Sequence, residues 1–290
     1  MTVPALAVHG RGIVDPAAPV LRADDLGVQR GDGVFETARV SGGRVFKLGL
    51  HLERLRRSAA ALALDAPHDE EWRALVHQAV LASGAGDALV KLVCTRGPVA
   101  GGPVTAFALV LPIPAETVRG REEGIDVVTL TLGVSAAARA TAPWLLGGAK
   151  TVSYAVNMAS IREAESRGAQ DAIWLANDGE VLEGPTSTVC WVAEGALRTP
   201  PASTGILAGT TLTAVAALAD PLRYEVTPAT ITDLARADEV MLVSSVRGVA
   251  GVRHLDGEPV GDGGIGPHTR RLRDAFEEAV AGSRRIPGID

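Results

Sequence analysis

Near the middle of this chain Pro112 and Pro114 bracket a single isoleucine and open a polar stretch that runs to Glu123. Proline fixes φ and lacks a backbone N–H, so two so close together disfavour both a helix interior and a central strand. The sequence therefore divides into an N-terminal domain over 1–113, an interdomain linker over 114–123 and a C-terminal domain over 124–290. Each domain is long enough to bury a core of its own. With 47% apolar and 21% charged residues, the chain reads as globular, not disordered or fibrous.

Apolar patterning gives both domains mixed helix and strand, an α+β fold. Alternating residues around Gly10-Arg11-Gly12, and around Ser41-Gly42-Gly43 between FETARV and RVFKL, predict two hairpins of an antiparallel sheet. Leu52, Leu55, Ala59 and Leu62 recur at helical spacing. So do Trp72, Leu75, Val76, Ala79 and Val80, after the acidic turn Asp69-Glu70-Glu71. Two amphipathic helices should cover the sheet, which runs 87–95 and 104–111 complete as buried strands. The second domain reads as a strand at 124–132, a glycine-containing segment ending in Lys150, and a helix from about Ser153 to Arg167. A hairpin turning at Asn177-Asp178-Gly179 follows, then the strand STVCWVA and a helix opening at Gly209-Thr210-Thr211. The strand EVMLVSS, a hairpin around Asp256-Gly257 and a closing helix from about His268 end the chain.

Composition removes several classes of function. A net charge of -6 with no long run of either sign argues against a nucleic-acid partner, and 3% aromatics is too few for stacking platforms. Cys94 and Cys190 lie alone in apolar runs and read as inert buried thiols, not as a disulfide framework. The six histidines form no HxxxH pair, so no metal site is expected. GxSxG, Walker and strand-linked GxGxxG motifs are absent. No apolar run suits a membrane span and no leader is evident at the start, so the expected setting is the cytoplasm and the expected ligand a small molecule.

Only three lysines, Lys47, Lys91 and Lys150, accompany 25 arginines, so chemistry that needs a primary amine has three candidates. Lys47 reads as a solvated cation and Lys91, inside ALVKLVC, as structural. Lys150 differs because Gly147-Gly148-Ala149 lets backbone pass close to a ligand just before it. Glu183 ends a hairpin strand and leads into the hydroxyl-rich turn Gly184-Pro185-Thr186-Ser187-Thr188. Gly205 to Thr211 would open a helix whose amides and hydroxyls suit a phosphate. An amine, an acid and a phosphate cradle are together what pyridoxal phosphate requires, although each alone is unspecific.

Through RGDGVFETARV, HLERL, the run from KTVSYAVNM to EGPTSTV, GILAGTT and EVMLVSS, nearly the whole chain resembles the class IV, fold-type IV pyridoxal-phosphate enzymes. These comprise branched-chain and D-amino-acid aminotransferases and aminodeoxychorismate lyases. The resemblance implies an N-terminal α/β sandwich-like domain, a C-terminal β-barrel-like domain with helices, and a homodimer. It also implies an active site between the two domains, completed by a loop of the partner subunit. By motif, Lys150 resembles the Schiff-base lysine, Glu183 the partner of the pyridine nitrogen, and Arg54 the arginine that grips the phosphate. Thr210, Thr211 and Ser245 match the remaining phosphate ligands and Tyr154 the tyrosine at the phenolic oxygen, while Thr186 and Ser187 would lie under the ring. Thr188 stands where the family often has Asn, and Leu212 where it often has Arg.

The family runs both transamination and elimination. After Arg96-Gly97 the stretch PVAGGPVTAF lacks the Arg-x-His trap of D-amino-acid aminotransferases, Phe35 replaces their tyrosine, and CTRGP lacks the Tyr-x-Arg of branched-chain enzymes. GDGVFETARV, with Thr37 and Arg39, looks most like aminodeoxychorismate lyases. The resemblance thus implies an amine substrate, 4-amino-4-deoxychorismate, split to 4-aminobenzoate and pyruvate for folate synthesis. Phe35, Thr37, Arg39, Arg96 and Arg247 are the candidate substrate contacts, each arginine having a salt-bridge role as its alternative. The alternatives for the whole chain are transamination of D-alanine or branched-chain amino acids and, from another class, a non-catalytic pyridoxal-phosphate-binding protein.

Overall fold

The computed structural model describes residues 3–282 and Ile286, and groups them into two compact units. The first holds the chain to Pro114 together with Ala149–Tyr154. It opens with β1 (Ala5–Val8) and β2 (Gly12–Val14), joined by the predicted turn, then α1 (Leu26–Arg30), β3 (Gly33–Ser41) and β4 (Arg44–Val45). The helices α2 (Leu48–Ala61) and α3 (Asp69–Ser83) precede β5 (Asp87–Thr95) and β6 (Thr105–Leu111). The strands form one antiparallel sheet in the order β2-β1-β6-β5-β3-β4.

Strand alternation decides what each sheet face carries. Val34, Ala38 and Val40 of β3 pack with Val90, Leu92 and Cys94 of β5 and Ala106, Ala108 and Val110 of β6. Leu52, Leu55 and Ala59 of α2 and Trp72, Leu75 and Val76 of α3 close that core. Phe35, Thr37 and Arg39 alternate with these residues along β3 and so lie on the opposite face. Glu36 is fully buried on the core face.

The second unit takes the rest of the chain, and its first element corrects the sequence reading. The stretch 114–123 is not an irregular linker, because α4 (Ala115–Glu123) occupies it. Pro112 and Pro114 stop β6, but a proline ahead of a helix costs nothing there, and six of the nine residues of AETVRGREE are the helix formers Ala, Glu and Arg, with Glu116 in the first turn, which outweighs Thr117, Val118 and Gly120. Arg121 on α4 is buried, donating to the carbonyls of Val246 and Arg247 and pairing with Glu277.

After α4 come β7 (Ile125–Thr131), α5 (Ala136–Thr141), α6 (Ala155–Ser166), β8 (Asp171–Leu175), β9 (Thr188–Ala193), β10 (Ala196–Thr199) and α7 (Thr210–Ala217). The chain continues through β11 (Arg223–Val226), α8 (Ile231–Ala235), β12 (Glu239–Ser244), β13 (Gly248–Leu255), β14 (Glu258–Pro259) and α9 (Pro267–Ala281). The sheet path is β11-β10-β9-β12-β13-β7-β8, with β14 on β13 and parallel pairs at β10/β11, β13/β7 and β7/β8. Its core gathers Ile125, Val127, Ile173, Val189, Trp191, Val240, Leu242 and Val252. The predicted α+β character holds. The sequence reading missed α5, β10, β11 and α8, which are too short for periodicity to register. Among the described residues no helix is long and apolar enough to cross a membrane.

Candidate active site

Lys150 lies in the first unit, although the sequence division assigned it to the second, because its segment pairs with β3. Thr151 bridges Val34, the Phe35 N–H donates to the Lys150 carbonyl at 3.0 Å, and the Val152 N–H to the Gly33 carbonyl at 2.9 Å. The Lys150 N–H donates to Ser58 Oγ on α2 at 3.0 Å. The backbone is thus pinned on both sides of the side chain. Lys150 Nζ lies 4.4 Å from the centroid of the Phe35 ring and 5.4 Å from that of Tyr154. Those two rings meet edge to face at 5.0 Å. Helix α6 starts at Ala155, so Lys150 occupies an extended segment and not a helix start.

Ser58, Arg54 and His51 share one face of α2 at helical spacing, and all three are buried. Arg54 Nε and Nη2 donate to the two oxygens of Glu36 at 2.6 and 2.9 Å, and His51 Nδ1 lies 2.7 Å from Glu36 Oε2. Burial alone would push the Glu36 carboxyl up. The Arg54 charge and the hydrogen bonds from Arg54 and His51 outweigh it and hold the group at about 2. Arg54 is therefore a charged side chain fixed by a fork-on-carboxylate pair, not a surface arginine.

In the second unit the Trp174 N–H donates to the Glu183 carbonyl at 2.9 Å, which ties this residue to β8. Its carboxylate takes one hydrogen bond from Arg139 Nη2 on α5 and one, at 2.9 Å, from the Leu207 N–H. The turn after it is held by Asn157 Nδ2 donating to the Pro185 carbonyl at 2.6 Å. Within that turn Thr186 is exposed and Ser187 buried. Ser187 Oγ and Arg139 Nη1 are buried with no hydrogen-bond partner among the described residues. At the start of α7, Thr210 Oγ1 and Thr211 Oγ1 lie 3.4 and 3.2 Å from Ser245 Oγ, long for hydroxyl bonds. Gly209 caps this helix with no side-chain hydrogen bond, and a Cβ on it would come within 2.4 Å of Thr188 Oγ1. The structure thus brings the hydroxyls of Thr210, Thr211 and Ser245 together.

The three candidate substrate arginines are each engaged by a carboxylate. Arg39 Nε and Nη2 donate to Asp87 at 2.7 and 3.0 Å, and Arg247 Nη1 to Asp171 at 2.5 Å. Arg96 donates to Asp32 and to the carbonyls of Leu62 and Ala63. Thr37 is half-buried opposite Lys91. Burial pushes the Cys94 and Cys190 thiols up to about 12, in keeping with inert groups. Among the described residues no cluster suits a metal ion.

Sequence reasoning missed Glu36, His51, Ser58 and Arg139. A polar stripe at 51, 54 and 58 beside Leu52, Leu55 and Ala59 was a usable signal for the α2 residues. Arg139 gave none. It also changes the reading of the glycines, since Cβ atoms on Gly147 and Gly205 would come within 2.6 Å of the Arg139 carbonyl oxygen and 2.8 Å of its Cγ.

Comparison with known proteins supplies the family. The model for amino-transferase class IV matches residues 33–255. A bifunctional aminodeoxychorismate lyase / D-amino acid transaminase of Mycobacterium tuberculosis is 40% identical over 257 residues, covering 84% of this chain and 89% of that protein. A chloroplastic D-amino-acid transaminase of Arabidopsis thaliana is 32% identical, over 91% of this chain and 72% of its own. A solved hypothetical aminotransferase from Mycobacterium tuberculosis, in a PLP-bound form, is 36% identical, with a TM-score of 0.91 over 97% of this chain and 100% of its own. With a matched span of this length and relatives at this identity, the chain belongs to the amino-transferase class IV family.

Proposed function

We propose that this protein is a pyridoxal-phosphate enzyme that converts 4-amino-4-deoxychorismate into 4-aminobenzoate and pyruvate. The observation that carries the reading is Lys150, a primary amine beside two aromatic rings on a backbone pinned to β3 and α2. The choice of reaction rests on GDGVFETARV, on the missing Arg-x-His trap after Arg96-Gly97, and on the Mycobacterium tuberculosis relative named for both activities.

The residues present fit the cofactor. The orphaned Ser187 Oγ against Gly184, the glycine-capped α7 and the hydroxyl group of Thr210, Thr211 and Ser245 are features that a bound ring and phosphate would satisfy. We assign the phosphate to Thr210, Thr211, Ser245 and the first amides of α7, with Arg54 adding positive charge. Glu183 takes the ring nitrogen, Tyr154 the phenolic oxygen, and Thr186 and Ser187 the underside of the ring.

Pyridoxal phosphate, when bound, supplies an electron sink for the carbon that bears the substrate nitrogen. Lys150 supplies the base, its Nζ taking the proton from that carbon. Glu183 presents an acceptor whose orientation is set by its two N–H donors. Phe35 and Tyr154 pack against the amine, their ring centroids 4.4 and 5.4 Å from Nζ. Breaking the ether C–O bond releases the side chain as enolpyruvate, which takes up a proton in place of the one removed by Lys150 and ketonises to pyruvate; the ring left behind is aromatic, and the two products together contain every atom of the substrate. No second substrate is needed, whereas transamination requires a keto acid. From the family we also carry forward a homodimer acting in the cytoplasm to supply folate synthesis.

The test is incubation of the cofactor-loaded protein with 4-amino-4-deoxychorismate and no keto acid. Equal amounts of 4-aminobenzoate and pyruvate are expected, and Lys150→Ala should lower the rate by at least about a hundredfold with loss of the cofactor's bound visible absorbance. Absence of 4-aminobenzoate, with D-alanine consumed only when 2-oxoglutarate is present, would instead make the second reading, D-amino-acid transamination, the function. Normal turnover in Lys150→Ala would end both.

A further inference from the structure

We propose that Arg139 is the positioning residue for Glu183, clamping its carboxylate as a fixed acceptor for the cofactor's ring nitrogen. The proposal rests on the assignment of Glu183 to that nitrogen. Arg139 sits on α5, a six-residue helix started by Ser135, whose Oγ accepts from the Ala138 N–H at 3.1 Å. From there Nη2 donates to Glu183 Oε1, while the Leu207 N–H donates to Oε2. Both donors need an acceptor, and a carboxylic acid hydroxyl would be the wrong partner for either. With one donor on each oxygen, the carboxylate is held in one orientation.

The surroundings of Arg139 are built to admit it. Gly147, from the run ahead of Lys150, and Gly205, from the loop leading to α7, both leave out a Cβ where its backbone and stem pass. Gly205 has φ +77 besides, so an L side chain there would also be strained. The Trp174 ring lies 5.8 Å from the guanidinium carbon and is itself fixed by its Nε1–H donating to Ser160 Oγ at 2.9 Å. A surface ion pair needs none of this. Arg139 also differs from Arg96, two of whose nitrogens meet carbonyl oxygens, in that its Nη1 is buried with no partner among the described residues, as Arg253 Nε and Arg271 Nε also are.

The full-length chain, stripped of cofactor, is titrated with pyridoxal phosphate and with its 1-deaza analogue, which keeps the phosphate and aldehyde but lacks the ring nitrogen. A charge-assisted acceptor should favour the natural ring by about tenfold or more in the parent protein. Arg139→Met is expected to bring that preference to within about threefold of unity, as is Glu183→Gln, while binding of the analogue stays within about threefold of the parent. Arg139→Lys should recover part of the preference. Arg139→Gln carries the same expectation as Arg139→Met if the latter does not fold. Equal weakening of both ligands in the Arg139 variants would make the residue merely structural and overturn the proposal. If Glu183→Gln loses the preference and the Arg139 variants keep it, the clamp alone is wrong. If Glu183→Gln keeps it, the assignment of Glu183 has failed.

Discussion

At Glu36 a carboxylate lies fully buried between Arg54 and His51, and its charge has a stability consequence that pH can read. Its folded value of about 2 lies below the ordinary 4.5, so the unfolded chain takes up the proton first as pH falls. The stabilisation is therefore complete above about pH 5 and is lost progressively toward pH 2. The shift corresponds to about 3 kcal/mol, of which about 1 kcal/mol should go between pH 6 and pH 3.5. Urea unfolding at those two pH values should show the parent losing about that much more stability than Glu36→Gln. Glu36→Gln should itself be weaker by about 3 kcal/mol at pH 6, since it leaves Arg54 buried without its partner. Identical pH dependence in the two proteins would remove the ion pair from the stability of the first unit. Residues of this kind explain what the sequence could and could not disclose. Lys150 and Glu183 could be proposed from the sequence because few residue types do the chemistry assigned to them and the chain has three lysines. Glu36 and Arg139 were not, because their partners lie 15, 18 and 44 positions away and the pairing exists only once the chain has folded.

Among the elements, long periodic ones were legible and short ones that end at prolines or glycines were not. Helices α2 and α3 and strands β3, β5 and β6 carry whole apolar faces, whereas the α4 region has too few apolar residues to advertise a helix. The loop from Gly205 to Gly209 read correctly as the entry to a helix, but its glycines serve close packing as well as ligand approach. At Gly209 the close neighbour is Thr188, the first residue of β9, whose cross-strand partner Val243 lies two residues before Ser245. A methyl group there would push α7 and its Thr210 and Thr211 away from β9 and β12. Gly209→Ala should therefore weaken pyridoxal phosphate binding by about tenfold or more, and inorganic phosphate binding in proportion. Adding Thr188→Ala, which removes the obstructing hydroxyl, should recover part of the loss. Unchanged affinity in Gly209→Ala would remove the α7 start from the phosphate assignment.

At the scale of the whole chain, the residues proposed above for the cofactor are distributed over two units with separate cores. Lys150, Tyr154 and Arg54 belong to the first, and Glu183, Ser187, Thr210, Thr211 and Ser245 to the second. A ligand that binds only the folded state stabilises whatever it touches by mass action, and local opening reports where. If one molecule of pyridoxal phosphate engages both sets, amide exchange should slow on loading in two separate stretches. These are the Lys150–Val152 bridge with its β3 partners, and the segment from Leu207 through the first turn of α7. Inorganic phosphate, which has no aldehyde for Lys150, should slow the second stretch alone. Lys150→Ala loaded with pyridoxal phosphate should look like the phosphate sample, with the β3 amides exchanging as in the unloaded protein. Protection confined to the second unit in the parent protein would mean that Lys150 does not serve the ligand held by Glu183, and the lysine-based reaction would have to be abandoned. Protection of both stretches in the parent, with the first lost in Lys150→Ala, would tie the amine, the acid and the anion cradle to one ligand without any assay of turnover.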